Sequence, residues 1–324
     1  MILVTGGAGY IGSHMVKMLR RAGRSVLVLD DLSTGFENAL LGAQWVKGSI
    51  GDRQLLNKLF AEYQITAVMN FASFIAVGES VQKPSNYYLN NVSNTLVLLD
   101  AMVRSGVPRF IFSSTAALFG DPACVPIDET LPSLPINPYG RSKHMIEQVL
   151  EDFDTAYRFK SVCLRYFNAA GADPDGQLGE RHDPETHLIP LVLQAASGRR
   201  PVISVFGDDY DTPDGTCIRD YIHVQDLCVA HLLALDHLMT GGDSLRYNLG
   251  NGKGFSVKEV IDVARKVTGK EIPVKVEPRR AGDTARLEAD SRRITRELGW
   301  EPKRVDLETI VRDAWAWEQK WPWS

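Results

Sequence analysis

The run Gly6-Gly7-Ala8-Gly9-Tyr10-Ile11-Gly12 constrains the fold of this chain more than any other feature. It follows an apolar stretch (1–5) that reads as a strand and opens a segment (10–22) with helical periodicity. Gly6 allows a tight turn, Gly9 lets a pyrophosphate approach the backbone, and Gly12 lets the helix pack close to the strand. Tyr10 and Ile11 begin the helix, whose free N–H groups then face the phosphates. A second apolar run, 25–30, ends in Asp30, about 20 residues further on, where a ribose-binding carboxylate is expected. Asp30 and Asp31 together would repel a 2′-phosphate, and no Arg follows directly. The pattern predicts a dinucleotide site that takes NAD in preference to NADP.

The rest of the first half repeats the alternation. Segments 44–47, 67–72, 108–114 and 161–166 read as strands, and 52–63, 84–105 and 142–157 as helices. Apolar strands separated by helices imply a parallel sheet covered on both faces, and right-handed crossovers make it doubly wound. After Asn168 the pattern breaks. Residues 169–187 are rich in glycine, proline and charge, and read as an ordered loop or lid. A short helix (188–197), strands (202–206 and 218–223) and an apolar helix (226–238) follow, then strand, helix and strand at 247–251, 256–268 and 273–277. The expected architecture is α/β: a doubly wound parallel (Rossmann-type) sheet over 1–168, with a returning segment at about 223–248. A smaller, discontinuous α/β substrate domain takes up 169–324.

Composition excludes several classes. With 324 residues, 44% of them hydrophobic, the chain can bury a large core. Its net charge is −4 and no Lys/Arg run exceeds two residues, which argues against a nucleic-acid partner. No apolar stretch approaches the ~18 residues a membrane span needs. The first strand starting at Ile2 leaves no segment expected to act as a leader. Cys124, Cys163, Cys217 and Cys228 are scattered, with no Cys-x-x-Cys spacing, so reduced thiols in a cytoplasmic protein and no metal site are expected.

Tyr139 and Lys143, four residues apart on a helix, share a face. A free tyrosine has a pKa near ~10 and is a poor base at neutral pH. A neighbouring ammonium and a positively charged nicotinamide ring would both favour the phenolate. The spacing alone also fits a surface pair, but its position decides. It opens the helix after the fifth strand, and that strand ends in Ser113-Ser114-Thr115, where strand C-termini line a ligand crevice. Thr115 could hydrogen-bond a hydroxyl undergoing oxidation.

Taken together, GGAGYIGSH, the strand-end SST, NPYGRSK, LRYFNAAG and IRDYIHVQD resemble the UDP-glucose 4-epimerases of the extended short-chain dehydrogenase/reductase family. The resemblance runs from Ile2 to Trp315, and AVGESVQKP and FGDDYDTPDGT are specific to the epimerase branch. It implies NAD-dependent inversion of C4 in UDP-hexoses, UDP-galactose to UDP-glucose and back, by an isomerase of galactose metabolism that works as a homodimer. Tyr139 is then the base, Thr115 assists it, and Lys143 holds the nicotinamide ribose and tunes Tyr139. Phe71 and Phe167 shape the nicotinamide pocket, while Asn91, Ser49, Ile50 and Ser113 contact the cofactor. Asn168, His187, Leu188, Phe206, Arg219, Arg280 and Asp283 match nucleotide-sugar contacts, with Arg219 and Arg280 on the diphosphate and Asp283 on the uridine ribose.

Some positions depart from the family pattern. Ser49 replaces an aspartate that contacts adenine, which Asp52 could take over, and Ile75 replaces a lysine that reaches the cofactor phosphates. His187 replaces an asparagine beside the sugar, and a substrate contact or packing is expected of it rather than membership of a metal cluster. Leu287 stands beside the sugar C2 substituent, where a tyrosine tends to exclude an N-acetyl group. Leucine there implies a secondary activity on UDP-GalNAc and UDP-GlcNAc, the alternative being that it simply fills the wall. Rival functions are another nucleotide-sugar epimerase acting on a UDP-pentose or UDP-uronate, a nucleotide-sugar dehydratase or decarboxylase, and a non-catalytic NAD-sensing module. A dehydratase or decarboxylase needs an acid just after the catalytic hydroxyl, where this chain has Ala116 and Ala117.

Overall fold

A computed structural model describes residues 1–280 and 283–322 of the chain. Its strands are β1 (Ile2–Thr5), β2 (Val26–Asp30), β3 (Trp45–Lys47), β4 (Ala67–Asn70), β5 (Arg109–Thr115), β6 (Lys160–Tyr166), β7 (Asn168–Ala170), β8 (Ile203–Phe206), β9 (Ile218–His223), β10 (Leu245–Leu249), β11 (Gly254–Ser256), β12 (Val274–Glu277) and β13 (Arg286–Leu287). The helices are α1 (Tyr10–Arg21), α2 (Arg53–Glu62), α3 (Val77–Gln82), α4 (Pro84–Tyr87), α5 (Asn94–Arg104), α6 (Pro138–Tyr157), α7 (Leu188–Ala196), α8 (Val224–Met239), α9 (Val257–Thr268), α10 (Arg292–Leu298) and α11 (Leu307–Glu318). None of the described helices is long and apolar enough to cross a membrane.

Seven strands form one parallel sheet in the order β10-β6-β5-β4-β1-β2-β3. The order reverses at β1, between β2 and β4, and that reversal opens the crevice beyond the strand C-termini where a ligand binds. Strand residues alternate between two cores. Ile2, Val4, Val26 and Val28 pack with Met15 and Leu19 of α1 and Leu227 and Leu235 of α8. Leu3, Leu27 and Leu29 face the other way, against Leu56 of α2, Leu98 and Met102 of α5, and Ile146 and Leu150 of α6. Period-2 alternation in apolar strands is the expected signature of a sheet buried on both faces. A third core joins Val192 of α7, Val205 of β8, Ile261 of α9 and Ile310 of α11.

Two elements differ from expectation in ways that matter for the site. The helix expected over 84–105 is interrupted by a six-residue π-helical turn, Tyr88–Ser93. That turn carries Asn91, which is buried and holds the loop after β4: its Nδ2 donates to the Phe74 carbonyl at 3.0 Å, and its Oδ1 accepts from the Phe74 N–H at 2.9 Å. π-turns inside helices often sit at functional sites for this reason, because they re-aim a side chain. The other is α6, which starts at Pro138, four positions before the periodicity shows. Asn137 caps it, accepting from the Gly140 N–H at 2.8 Å, and Pro138 at its first position needs no N–H partner. Tyr139 therefore lies inside the first turn.

The strand expected at 247–251 is β10, two residues earlier, and it joins the main sheet parallel to β6. With α8 it brings the chain back to the first layer. Loop 171–187 mixes exposed residues with buried ones, Ala172, Asp173, Leu178 and Glu180 among them, and has one isolated bridge, Ala172 to Gly179.

Candidate active site

The glycine turn has the geometry its sequence predicts. Gly6 has φ +72°, and a Cβ there would lie 2.5 Å from the Ala72 nitrogen. A Cβ on Gly12 would lie 2.1 Å from the Gly6 carbonyl oxygen, so neither position admits a side chain. On Gly9 the nearest such neighbour is 3.5 Å away, which leaves open the face a pyrophosphate would approach. Asp30 is buried at the end of β2. Its Oδ2 accepts from the Ala8 N–H at 2.8 Å and its Oδ1 from the Leu32 N–H at 2.9 Å. Burial raises its pKa, and these backbone donors oppose the rise. Tyr10 donates its hydroxyl to the Gly171 carbonyl at 2.7 Å, tying α1 to the loop after β7, and Ile11 backs onto the first core.

After β3, Ser49 accepts from the Gly51 N–H at 3.1 Å and Ile50 is buried in the second core. Asp52 caps α2 through Oδ1, accepting from the Gln54 and Leu55 N–H groups at 3.0 Å. The carboxylate expected to take over a contact from Ser49 is thus already committed through one oxygen.

The catalytic candidates meet at the end of β5. Tyr139 is buried, and burial pushes its phenol up while a hydrogen bond with the Thr115 hydroxyl pulls it back. Thr115 Oγ1 also accepts from the Ala117 N–H at 3.1 Å, which fixes its rotamer. One helical turn on, the Lys143 ammonium donates to Ser73 Oγ at 2.7 Å and to the Ser113 carbonyl at 2.8 Å. Burial lowers its pKa to about 7, against a smaller upward pull from Glu147. The expectation that Lys143 tunes Tyr139 is therefore narrowed: the ammonium is directed to Ser73 and the strand end rather than to the phenol.

Behind this set, His231 Nδ1 lies 2.9 Å from the Leu227 carbonyl, which can only accept, so Nδ1 carries the proton. Its Nε2 then accepts from the Ser113 hydroxyl at 3.3 Å. Burial lowers the His231 pKa to about 4 and keeps the ring neutral. Phe71 stacks at a tilt on that ring, 5.0 Å between centroids. Neither Ser73 nor His231 carries a motif that would have marked it in sequence.

The substrate-side candidates come from the second half. Asn168 Nδ2 donates to the Asp220 carbonyl at 3.0 Å, and Leu188 opens α7. The Arg280 guanidinium lies 4.5 Å from the Phe206 ring centroid, and its Nε donates to Asp283 Oδ2 at 3.1 Å. Asp283 Oδ1 is 3.8 Å from an Arg219 nitrogen, so Phe206, Arg219, Arg280 and Asp283 stand together. Arg219 also donates to the carbonyls of Ile218 and Thr284 at 2.9 and 2.8 Å. Leu287 pairs with Arg219 across β13 and β9 and packs with Phe167 on Leu118, Phe119 and Ile127. Phe71 and Phe167 thus belong to different walls, Phe71 against His231 and Phe167 beside Leu287.

His187 occupies the position before α7, without a side-chain capping bond, in a cluster that the sequence alone does not show. Glu180, His182, Glu185 and His187 bring one donor atom each to within 4.8 Å of one another. His187 was expected to stand apart from any metal cluster; the folded loop places it among four side chains of metal-ligand type, in a spacing, Glu-x-His-x-x-Glu-x-His, that matches no common helical or zinc-finger pattern. Burial alone would lower both imidazoles, but the two carboxylates raise His182 to about 9 and His187 to about 10.

Comparison with known proteins identifies the family. Residues 2–250 match the NAD dependent epimerase/dehydratase family. The chain is 54% identical over 321 residues to the UDP-glucose 4-epimerase of Halalkalibacterium halodurans, covering 99% of this chain and 96% of that protein. The crystal structure of UDP-glucose 4-epimerase from Brucella ovis in complex with NAD superposes with a TM-score of 0.95 at 49% identity, covering 97% of each chain. The UDP-Glc/GlcNAc 4-epimerase from Campylobacter jejuni gives 0.87 at 45% identity, covering 98% of this chain and 99% of that one. Similarity of this extent, carried through both halves of the molecule, makes the chain a member of the NAD dependent epimerase/dehydratase family.

Proposed function

We propose that the protein is an isomerase that inverts C4 of UDP-hexoses, converting UDP-galactose to UDP-glucose and the reverse, with NAD as cofactor. The observation that carries this reading is the buried Tyr139 phenol, whose ionisation Thr115 at the C-terminal end of β5 favours, one helical turn from a Lys143 ammonium bonded to the Ser113 carbonyl of the same strand. The glycine turn fits NAD, since Gly6 and Gly12 exclude side chains and Gly9 leaves its face open. NAD⁺ held by the glycine turn, Asp30 and Lys143 would supply reversible hydride acceptance at C4. Tyr139 takes the 4-hydroxyl proton as the C4–H bond breaks, giving a 4-keto sugar, and gives the proton back once the sugar has turned. Thr115 orients that hydroxyl, and Lys143 holds the nicotinamide ribose. Arg219 and Arg280 hold the diphosphate, Asp283 the uridine ribose, and Phe206, Asn168, His187 and Leu188 complete the wall.

The dehydratase reading lacks its acid. Thr115 leads into a 3-10 turn of Ala116, Ala117, Leu118 and Phe119, none of which transfers protons. Activity on the N-acetylated sugars is proposed as a secondary reaction governed by Leu287. A homodimer is proposed on exposed apolar side chains along α3, the π turn, α5 and α6: Val77, Val81, Leu89, Leu96 and Met145. A cytoplasmic location is proposed with it, since Cys124, Cys163, Cys217 and Cys228 all carry free thiols. The division into a sheet domain at 1–168 with a returning segment and a substrate domain beyond it is the working description for truncation experiments.

The test is to denature the pure protein, measure released NAD, and assay UDP-galactose turnover. NAD release together with formation of UDP-glucose supports the reading. NAD without turnover would leave a sensing module, and formation of a 4-keto-6-deoxy sugar would mark a dehydratase.

A further inference from the structure

Among the described residues, one cluster of ligating side chains lies outside the groups proposed to move protons, and of its members only His187 is also proposed for the sugar wall. Glu180, His182, Glu185 and His187 lie in the loop between β7 and α7. Their donor atoms converge. His182 Nδ1 is 3.3 Å from Glu180 Oε1 and 3.5 Å from Glu185 Oε2; His187 Nδ1 is 2.8 Å from Glu180 Oε1 and 3.2 Å from Glu185 Oε1. Metal–ligand bonds of about 2.0–2.2 Å at tetrahedral angles put neighbouring donors roughly 3.3–3.6 Å apart, close to this spacing.

A second observation points into the same space. The carboxylates are closed off from water, with side-chain exposures of 6% for Glu180 and 5% for Glu185. Yet Glu180 Oε1 and His182 Nδ1 are buried without a well-formed hydrogen bond, although Oε1 lies within ion-pair distance of both imidazoles, 3.3 Å from His182 Nδ1 and 2.8 Å from His187 Nδ1. Two buried carboxylates need compensating positive charge, which either two protonated imidazoles or one bound cation supplies. A divalent ion would displace the imidazole protons, and two neutral imidazoles with two carboxylates then balance its charge; this mixed donor set suits Zn²⁺ or a neighbouring first-row ion.

We propose that Glu180, His182, Glu185 and His187 bind one divalent transition-metal ion, with Zn²⁺ the best match, as a structural clamp on the loop between β7 and α7. The clamp joins three elements. Trp317 of α11 donates its indole N–H to the Glu180 carbonyl at 3.0 Å. The Tyr10 ring of α1 meets the His182 ring edge-on, with centroids 6.4 Å apart. His187 stands at the N-terminal boundary of α7, directly before Leu188. The ion would thus fix the glycine-turn helix, the C-terminal helix and the proposed sugar wall relative to one another, and takes no part in electron or group transfer.

The experiment uses tag-free, NAD-loaded protein stripped with a chelator and titrated with Zn²⁺ by calorimetry, and separately with Co²⁺ by visible absorption. Expected are about one ion per chain, a rise in Tm, and the intense visible bands of tetrahedral Co²⁺. His182→Ala and Glu185→Gln should each weaken binding by at least the roughly 10–100-fold that loss of even an outer-shell partner costs. Failure of the wild-type protein to bind Zn²⁺ would overturn the proposal, and so would binding that survives both substitutions. If a variant fails to fold by circular dichroism, the wild-type Co²⁺ spectrum decides: tetrahedral bands support the site, and a purely octahedral spectrum rejects it.

Discussion

The Lys143 ammonium donates to the Ser113 carbonyl at 2.8 Å, from a side chain that is buried. Burial lowers its pKa to about 7, far below the value of an exposed lysine. In the unfolded chain the same group titrates near ~10.4. The stability it contributes is therefore present above the unfolded value and is lost as pH falls through about 7. Lys143→Met should cut turnover, since the ribose contact goes. Its Tm relative to wild type, at equal NAD content, should shift in favour of the mutant between pH 9 and pH 6. A Tm difference that is flat over this range would show the ammonium to be fully charged in the native protein.

Tyr139→Phe keeps the ring that fills the site and removes only the phenol oxygen. A positioned acid or base is typically worth about 10²–10⁴-fold. Turnover of UDP-galactose should fall by that range with NAD content unchanged. In wild type the rate should rise towards alkaline pH, because burial raises the phenol. Near-normal turnover in the mutant would remove Tyr139 from the role of base.

The Arg219 side chain donates to two backbone carbonyls and lies near Asp283, which pre-orients the guanidinium. Arg219→Ala should weaken UDP binding by about 2–5 kcal/mol, the usual cost of losing one partner of a buried charged pair. Uridine, which lacks the diphosphate, should bind almost as before. Equal losses for UDP and uridine in calorimetry would mean that Arg219 only supports the backbone.

Behind the active site, Glu147 accepts from Ser114 Oγ at 2.5 Å and pairs with Arg165, both carboxylate oxygens within 3.2 Å of the Arg165 Nε. Both side chains are buried, at 2% and 6% exposure. Glu147→Ala leaves the Arg165 charge unpaired and should destabilise the fold by about 3–5 kcal/mol in urea unfolding. A loss below about 1 kcal/mol would class the pair with surface ion pairs instead.

The sheet was legible because its strands are apolar on both faces and its glycine turn leaves little freedom; β1 and β2 start and stop within a residue or so of expectation. The π turn at Asn91 was not, because its hydrogen-bond shift depends on Phe74, seventeen positions away, and leaves the helical periodicity intact. The Tyr139, Lys143 and Thr115 set was readable from one strand end and one helix. Ser73 and His231 were not, since each acts through a single contact made only in the folded chain. The same holds for Glu180 and His182, which meet His187 only when their loop closes.

Leu287 lies in the short strand β13, paired with Arg219 and packed beside Phe167 against Leu118 and Phe119. It is half-buried, so its side chain forms part of a wall without being sealed inside it. A leucine leaves more room than a tyrosine at this point and has no hydroxyl to satisfy, so the wall should admit a sugar with an N-acetyl group at C2. The wild-type protein is then expected to interconvert UDP-GalNAc and UDP-GlcNAc as a secondary reaction. Leu287→Tyr adds a ring that would clash with the larger substituent alone, so discrimination should arise from a repulsive contact. Selection by steric fit in an apolar pocket is worth about 10–200-fold per group of this kind. The mutant should lose the N-acetyl reaction by that range while UDP-galactose turnover stays within about twofold, because the added ring has nothing to clash with at a C2 hydroxyl. Measuring both reactions in both proteins decides the matter. If wild type turns over no UDP-GalNAc, the wall is closed by its other members and Leu287 is packing; if the mutant loses both reactions equally, the ring disturbs the neighbouring Arg219 contact rather than the sugar.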